Sequence, residues 1–267
     1  MDEYLRSNQE LWNHWTELHE KSEMYDLPGF KAGGFRLHDI EKGELGDVSG
    51  KSLLHLQCHF GLDSLSWARL GAKVTGVDFS DKALALARSL SAEMDIPATF
   101  VHSNVYDLPE HLSGQFDIVF TSYGVLGWLP DLERWAKVVS HFLKPGGTFL
   151  VVESHPFAMV FDNDHESELR VIYPYFVRPE PFKFEVRGSY AAPDPDYRGV
   201  EYGWNHSMSE CVNSLIAAGL RIQSLQEYPY IVWKMFPFLE KANDGTWRLP
   251  AEKGEIPLMF SLRATKE

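Results

Sequence analysis

Residues Ser52–Ser80 read SLLHLQCHFGLDSLSWARLGAKVTGVDFS, and this succession of apolar run, bend, helical segment and second strand decides the fold. Ser52 to Leu56 has the length and character of a buried parallel strand. Gly61 then allows a tight bend where a ligand can approach the main chain. Leu62 to Leu70 is helical in character, and the free N–H groups of its first turn favour an anionic or acceptor group over the bend. Lys73 to Val77 alternates and is rich in β-formers. Asp78 closes it at the carboxyl end, where open α/β sheets present ligand-contacting side chains. A carboxylate there can accept both hydroxyls of a ribose, so the stretch has the layout of a nucleotide-cofactor site.

Dinucleotide folds place G-x-G-x-x-G in this bend so that a pyrophosphate can touch the backbone. Here the bend reads Gln57, Cys58, His59, Phe60, Gly61, with a single glycine, which makes NAD the weaker candidate. The segment resembles motif I of the class I S-adenosylmethionine (SAM) dependent methyltransferases. His55 stands where that family has an acid, and Gln57 and His59 occupy its first two glycine positions. The similarity continues through SNVYDLP, which looks like the family's Gly-Asp-Ala/Val-x-x-Leu-Pro segment, through the strand FDIVFTS and the loop SYGVLGWLPDL, and through Lys144-Pro145-Gly146-Gly147 before a fifth strand over Thr148 to Glu153.

The resemblance implies a Rossmann-like, mostly parallel seven-stranded sheet with helices on both faces and the last strand antiparallel between the fifth and sixth. It implies SAM as cofactor, held by Gln57, Cys58, His59, Gly61, Asp78, Phe79 and Ser122, with Asn104 and the Val105 N–H on the adenine. N-terminal segments of the family fold over bound SAM, which makes Tyr25 a further cofactor contact.

Outside the motifs, Leu11, Trp12, Trp15, Leu18 and His19 form one helical stripe over Glu3 to His19, fit either for core packing or for covering the cleft. HEKSEMYDLPGFKAGGF, with Gly29, Gly33 and Gly34, reads as a mobile loop. Residues 1–44 are thus expected to form a helix and cofactor-covering loop, and residues 45–267 the methyltransferase domain with a lid insertion at about 155–205. That insertion is too long for an ordinary connection and dense in aromatic residues, Tyr173 and Trp204 among them, so it offers an apolar wall for a substrate. Phe182 to Val186 alternates, as one arm of a hairpin does. Ser207 to Glu210 has capping-box spacing ahead of a helix running to Gly219, and strands are expected over Leu220 to Tyr228 and Ile256 to Ala264.

With 267 residues, 44% of them hydrophobic, one large core is expected. A net charge of -13 repels phosphate backbones and argues against nucleic acid as partner. No apolar run has the length of a membrane span, and the first residues lack the pattern of a signal peptide, so a cytoplasmic protein is expected. Its two cysteines, Cys58 and Cys211, are then reduced thiols. No cluster has metal-ligand spacing: His55 and His59 do not share a helix face, and Asp162 to Glu166 lacks the EF-hand pattern.

Methyl transfer from a sulfonium requires alignment above all, since the cofactor carries both electrophile and leaving group. A neutral imidazole suits removal of an acceptor's proton, and His155 and His206 are the candidates. Tyr123 and Trp128, in the loop after the fourth strand, are candidates to line the acceptor site. The expected function is methylation of a small molecule. The alternatives are a catalytically silent member of the fold, motivated by Gln57 and His59, and an NAD-dependent oxidoreductase.

Overall fold

The computed structural model describes residues 3–267. Its main sheet comprises β1 (Ser52–Leu56), β2 (Lys73–Asp78), β3 (Ala98–His102), β4 (Phe116–Ser122) and β5 (Leu143–Ser154). A hairpin, β6 (Phe182–Val186) and β7 (Gly199–Gly203), follows. Then come β8 (Leu220–Tyr228), a small sheet of β9 (Tyr230–Ile231), β10 (Glu240–Lys241) and β11 (Trp247–Arg248), and β12 (Met259–Lys266). The seven-stranded order is β3-β2-β1-β4-β5-β12-β8, with β12 antiparallel to both neighbours. This is the Rossmann-like arrangement implied by the resemblance. The final strand lies a few residues later than its sequence pattern suggests, because Leu258 bonds the carbonyl of Tyr228 before the ladder proper begins.

The helices are α1 (Glu3–Lys21), α2 (Leu27–Lys31), α3 (Asp39–Leu45), α4 (Leu62–Arg69), α5 (Asp81–Glu93), α6 (Leu108–His111), α7 (Leu132–Phe142) and α8 (Met208–Ala217). On one face of the sheet α7 and α8 bury Trp135, Val139, Phe142 and Leu215 against Val119, Phe149 and Phe260. The Asp131 carboxylate caps α7 by accepting the Arg134 N–H at 2.9 Å. On the other face Trp67 of α4 packs edge-on to Phe120, and residues 231–239 complete that core through Ile231 and Phe236. Each fully buried ring of this size contributes about 2–3 kcal/mol through burial.

The segment read as a mobile loop contains the short helix α2. Asp26 caps α2 through the Gly29 N–H at 3.1 Å, Pro28 supplies a preset φ in the first turn, and Leu27 and Phe30 are buried. The Arg69 guanidinium lies 4.3 Å from the Phe30 ring centroid and holds the turn down. Ser207 caps α8 through the Glu210 N–H, but the Glu210 carboxylate turns to His206 and leaves the capping box half formed. Among the described residues, no helix is long and apolar enough to cross a membrane. Cys58 and Cys211 are free and buried.

Candidate cofactor and acceptor site

Strand order reverses between β1 and β4, and the bend after β1 opens at that switch point, beyond the carboxyl ends of the strands. Gln57 and His59 have φ of 56° and 51°, and Gly61 has 77°. The bend thus keeps the left-handed backbone of a glycine turn with two side chains in place, at a strain of about 1 kcal/mol or more for each. Those side chains lean onto other elements. Gln57 Nε2 lies 3.5 Å from the Val125 carbonyl, and His59 Nε2 lies 2.9 Å from His19 Nδ1 on α1. At Gly61 itself a side-chain carbon would meet the Phe100 ring at 2.8 Å, so glycine is required there.

Asp78 is buried and organises the bend. Its Oδ2 accepts the His59 N–H and its Oδ1 the Ser80 N–H, each at 2.8 Å. Each oxygen retains a lone pair for a further donor such as a ribose hydroxyl. Burial pushes this carboxyl up to about 6, against the opposing pull of the two N–H donors. Asn104 Oδ1 caps the turn Val105–Asp107 through the Tyr106 N–H at 3.0 Å, leaving its amide N–H donors free. The Ser122 hydroxyl donates to Asp63 Oδ2 at 3.1 Å, and burial raises Asp63 to about 6. Cys58 differs from the rest of the bend. Its side chain points into the core beneath Gly76 and its N–H bonds the Val77 carbonyl, so the cysteine supports the turn from below and its thiol is held well above its ordinary value by burial. Phe79 offers only its carbonyl, which accepts from Gln9 at 2.5 Å and from His102 at 2.9 Å.

Helix α1 roofs the bend. Gln9 bonds Phe79, while Asn13 Nδ2 donates to Asp81 at 2.8 Å and Asn13 Oδ1 accepts from the Ser80 hydroxyl at 2.6 Å. On its other side Asn8 exchanges two hydrogen bonds with the Tyr202 backbone of β7. The aromatic stripe therefore does both jobs open to it: Leu11 and Trp15 are core, while Trp12 lies 5.0 Å from the His59 ring and 5.2 Å from Trp128. Tyr25 stands beside them, 4.9 Å from the Phe60 ring and 5.6 Å from His59, with its hydroxyl on that of Tyr190 at 2.5 Å. Desolvation holds His19 down to about 3 and His59 well below the usual imidazole range, so both rings are neutral at pH 7.

Neither His155 nor His206, the sequence-derived candidates for a base, joins this cluster. His155 Nε2 meets Glu227 of β8 at 2.8 Å and its Nδ1 accepts the Phe157 N–H at 3.0 Å. His206 Nε2 donates to the Leu129 carbonyl at 2.8 Å, and its Nδ1 lies 3.1 Å from Glu210. Both rings are buried; His155 has both nitrogens engaged, whereas His206 Nδ1 makes no hydrogen bond. Trp204 is buried and bonds the Gly127 carbonyl through its N–H at 2.8 Å, and Tyr173 packs on Phe182 and Phe184. Tyr123 turns sideways, with its hydroxyl donating at 2.8 Å to Glu41 of α3, a fully buried carboxyl pushed up to about 7. Glu153, at the end of β5, accepts four main-chain N–H groups, those of Gly124 and Ser154 at 2.6 Å on Oε1 and those of Val125 and Leu126 at 2.6 and 3.1 Å on Oε2. It fixes the loop that carries Trp128. Glu41, Asp63 and Glu153 escape a sequence reading because their partners come from distant segments.

Three buried polar atoms around the bend lack partners: Gln57 Oε1, His59 Nδ1 and His19 Nε2. Together with the spare lone pairs of Asp78 and the free amide of Asn104, they fit a nucleoside with a polar amino-acid tail better than they fit an empty core. Residues 53–147 match the family model described as "Methyltransferase domain". The chain is 30% identical over 166 residues to the ubiquinone biosynthesis O-methyltransferase of Bordetella pertussis, covering 59% of this chain and 68% of that protein. It is 28% identical to the same enzyme of Bordetella avium over 64% of this chain and 76% of the other. A SAM-dependent methyltransferase from Mesorhizobium loti superimposes with a TM-score of 0.58 at 21% identity, over 85% of this chain and 96% of that one. One from Clostridium acetobutylicum does so with 0.58 at 14% identity, over 96% and 99%. The likeness to these two structures reaches the fold, and the sequence match to the curated relatives carries it further: the chain belongs to the class I SAM-dependent methyltransferases.

Proposed function

We propose that the protein transfers the methyl group of SAM to a small organic acceptor held beneath α1 and the β6–β7 hairpin. The observation that carries this reading is the bend after β1, which keeps a glycine-type backbone and an Asp78 anchor despite two bulky residues. When bound, SAM supplies an electrophilic methyl and a neutral thioether leaving group. Asp78 holds the ribose, Asn104 and the Val105 N–H meet the adenine, and the unpaired atoms of Gln57 and His59 serve the methionine tail. The interlocked rings of Trp12, Trp128 and Tyr25 exclude water around the reacting centre. The curated relatives bear the name O-methyltransferase, which supports a small-molecule acceptor, and the acidic surface argues against nucleic acid.

Calorimetry with S-adenosylhomocysteine tests the reading. Binding is expected at neutral pH, with no binding of NAD, and the affinity should fall as pH drops below about 6. The sign follows from Asp78. Its folded value lies above the ordinary 3.8, so ionisation costs folding stability as pH rises through about 6. A ribose that donates to the ionised carboxylate offsets that cost, and protonation removes the acceptor. No binding at millimolar nucleoside would sink the proposal.

A further inference from the structure

The β6–β7 hairpin carries two carboxylates, an exposed one on Glu185 and a half-buried one on Glu201. Glu201 lies between Gly199 and Gly203 on β7, and the three residues share one face. A side-chain carbon on Gly199 would touch Leu11 of α1 at 2.8 Å, and one on Gly203 would approach the Gly127 carbonyl at 3.4 Å. The face therefore looks toward the roof helix at one end and toward the loop of Trp128 at the other, with Glu201 directed between them. Its cross-strand partner is Phe184, whose ring, with that of Phe182, sits edge-on to Tyr173 at 5.9 and 5.3 Å.

Among the described residues Glu201 has neither a hydrogen bond nor an ion pair, and burial alone pushes its carboxyl up to about 7. A half-buried carboxylate without a donor is costly, and hydrogen-bonded partners or cations remove that cost. The surrounding rings are of the kind that attract cations over their faces. No positively charged side chain of the protein offsets this burial.

Resting on the methyltransferase reading, we propose that Glu201 and these rings form the acceptor subsite, and that it takes a molecule bearing a cationic nitrogen on an apolar or aromatic body. The net charge of -13 favours the approach of such a cation and disfavours acids.

The test loads the protein with S-adenosylhomocysteine and then titrates it with phenethylamine and with its neutral isostere phenethyl alcohol. The wild-type protein is expected to bind the amine about tenfold more tightly than the alcohol. Glu201→Gln should abolish that preference, and Glu201→Asp, which keeps the charge, should retain most of it, with circular dichroism confirming that both variants fold. Equal affinity for the two probes in the wild type, no binding of either at millimolar concentration, or a preference that survives in folded Glu201→Gln overturns the proposal. Failure of the wild type to load S-adenosylhomocysteine overturns the methyltransferase site itself, so the two failures are distinguishable.

Discussion

Asp78→Ala is expected to weaken SAM binding by about a thousandfold. In the proposed site the carboxylate would accept two ribose hydroxyls, and hydrogen bonds to a charged group contribute about 1.5–3 kcal/mol each, so losing both removes about 4 kcal/mol. The same substitution unpairs the N–H groups of His59 and Ser80 that Asp78 now accepts, both at 2.8 Å. Two buried donors without acceptors should cost a further ~2–4 kcal/mol of folding stability. Asp78→Asn separates the effects, because its one remaining carbonyl oxygen still accepts from one of those donors. Calorimetry and thermal unfolding check both. A folded Asp78→Ala protein that binds SAM with wild-type affinity would remove the basis for placing the ribose here.

Glu153→Gln should destabilise the protein by about 3 kcal/mol and loosen the loop on the acceptor side of the site. The four N–H groups converging on this carboxylate belong to Gly124, Val125, Leu126 and Ser154. An amide side chain of the same shape turns one acceptor into a donor facing N–H groups in a buried setting, where each unmade bond costs about 1–3 kcal/mol. The affected loop carries Trp128, which packs against Trp12 at 5.2 Å, so the roof contact should weaken with it. Urea unfolding reads the stability change, and tryptophan fluorescence reads the loosened contact. A Glu153→Gln protein with unchanged midpoint and emission would show that the carboxylate does not order the loop.

Most of the sheet was legible because its central strands are buried on both faces and its strands carry β-rich runs. β1, β2, β3 and β4 match the sequence reading closely, and β6 falls on the alternation at Phe182 to Val186. The order of the strands came only from resemblance, since β12 between β5 and β8 leaves no local mark. Helix α2 was not read from the sequence because its glycines outweighed Asp26 and Pro28, whose capping geometry is a local signal that was present. The surroundings of the histidines were hidden for a different reason. His155 ends a strand at the expected place, yet Glu227 reaches it from β8, a partner visible only once the sheet is assembled.

The cofactor motif was legible by position and opaque in its chemistry. Glycine positions occupied by Gln57 and His59 suggested a blocked bend, but left-handed backbone at both residues keeps the turn. That conformation is tolerated because neighbours hold it: Asp78 fixes the His59 N–H, and His19 meets the His59 ring. Glu201 is one of several acids in an aromatic insertion, and its direction depends on the hairpin register.

A crystal structure of the protein grown with S-adenosylhomocysteine tests the central claim most directly. The account requires the adenosine over the carboxyl end of β2, with both ribose hydroxyls on Asp78 and the tail among Gln57, His59 and His19. A nucleoside bound elsewhere, or a bend still closed by the Gln57 and His59 side chains with Asp78 out of reach, would contradict it.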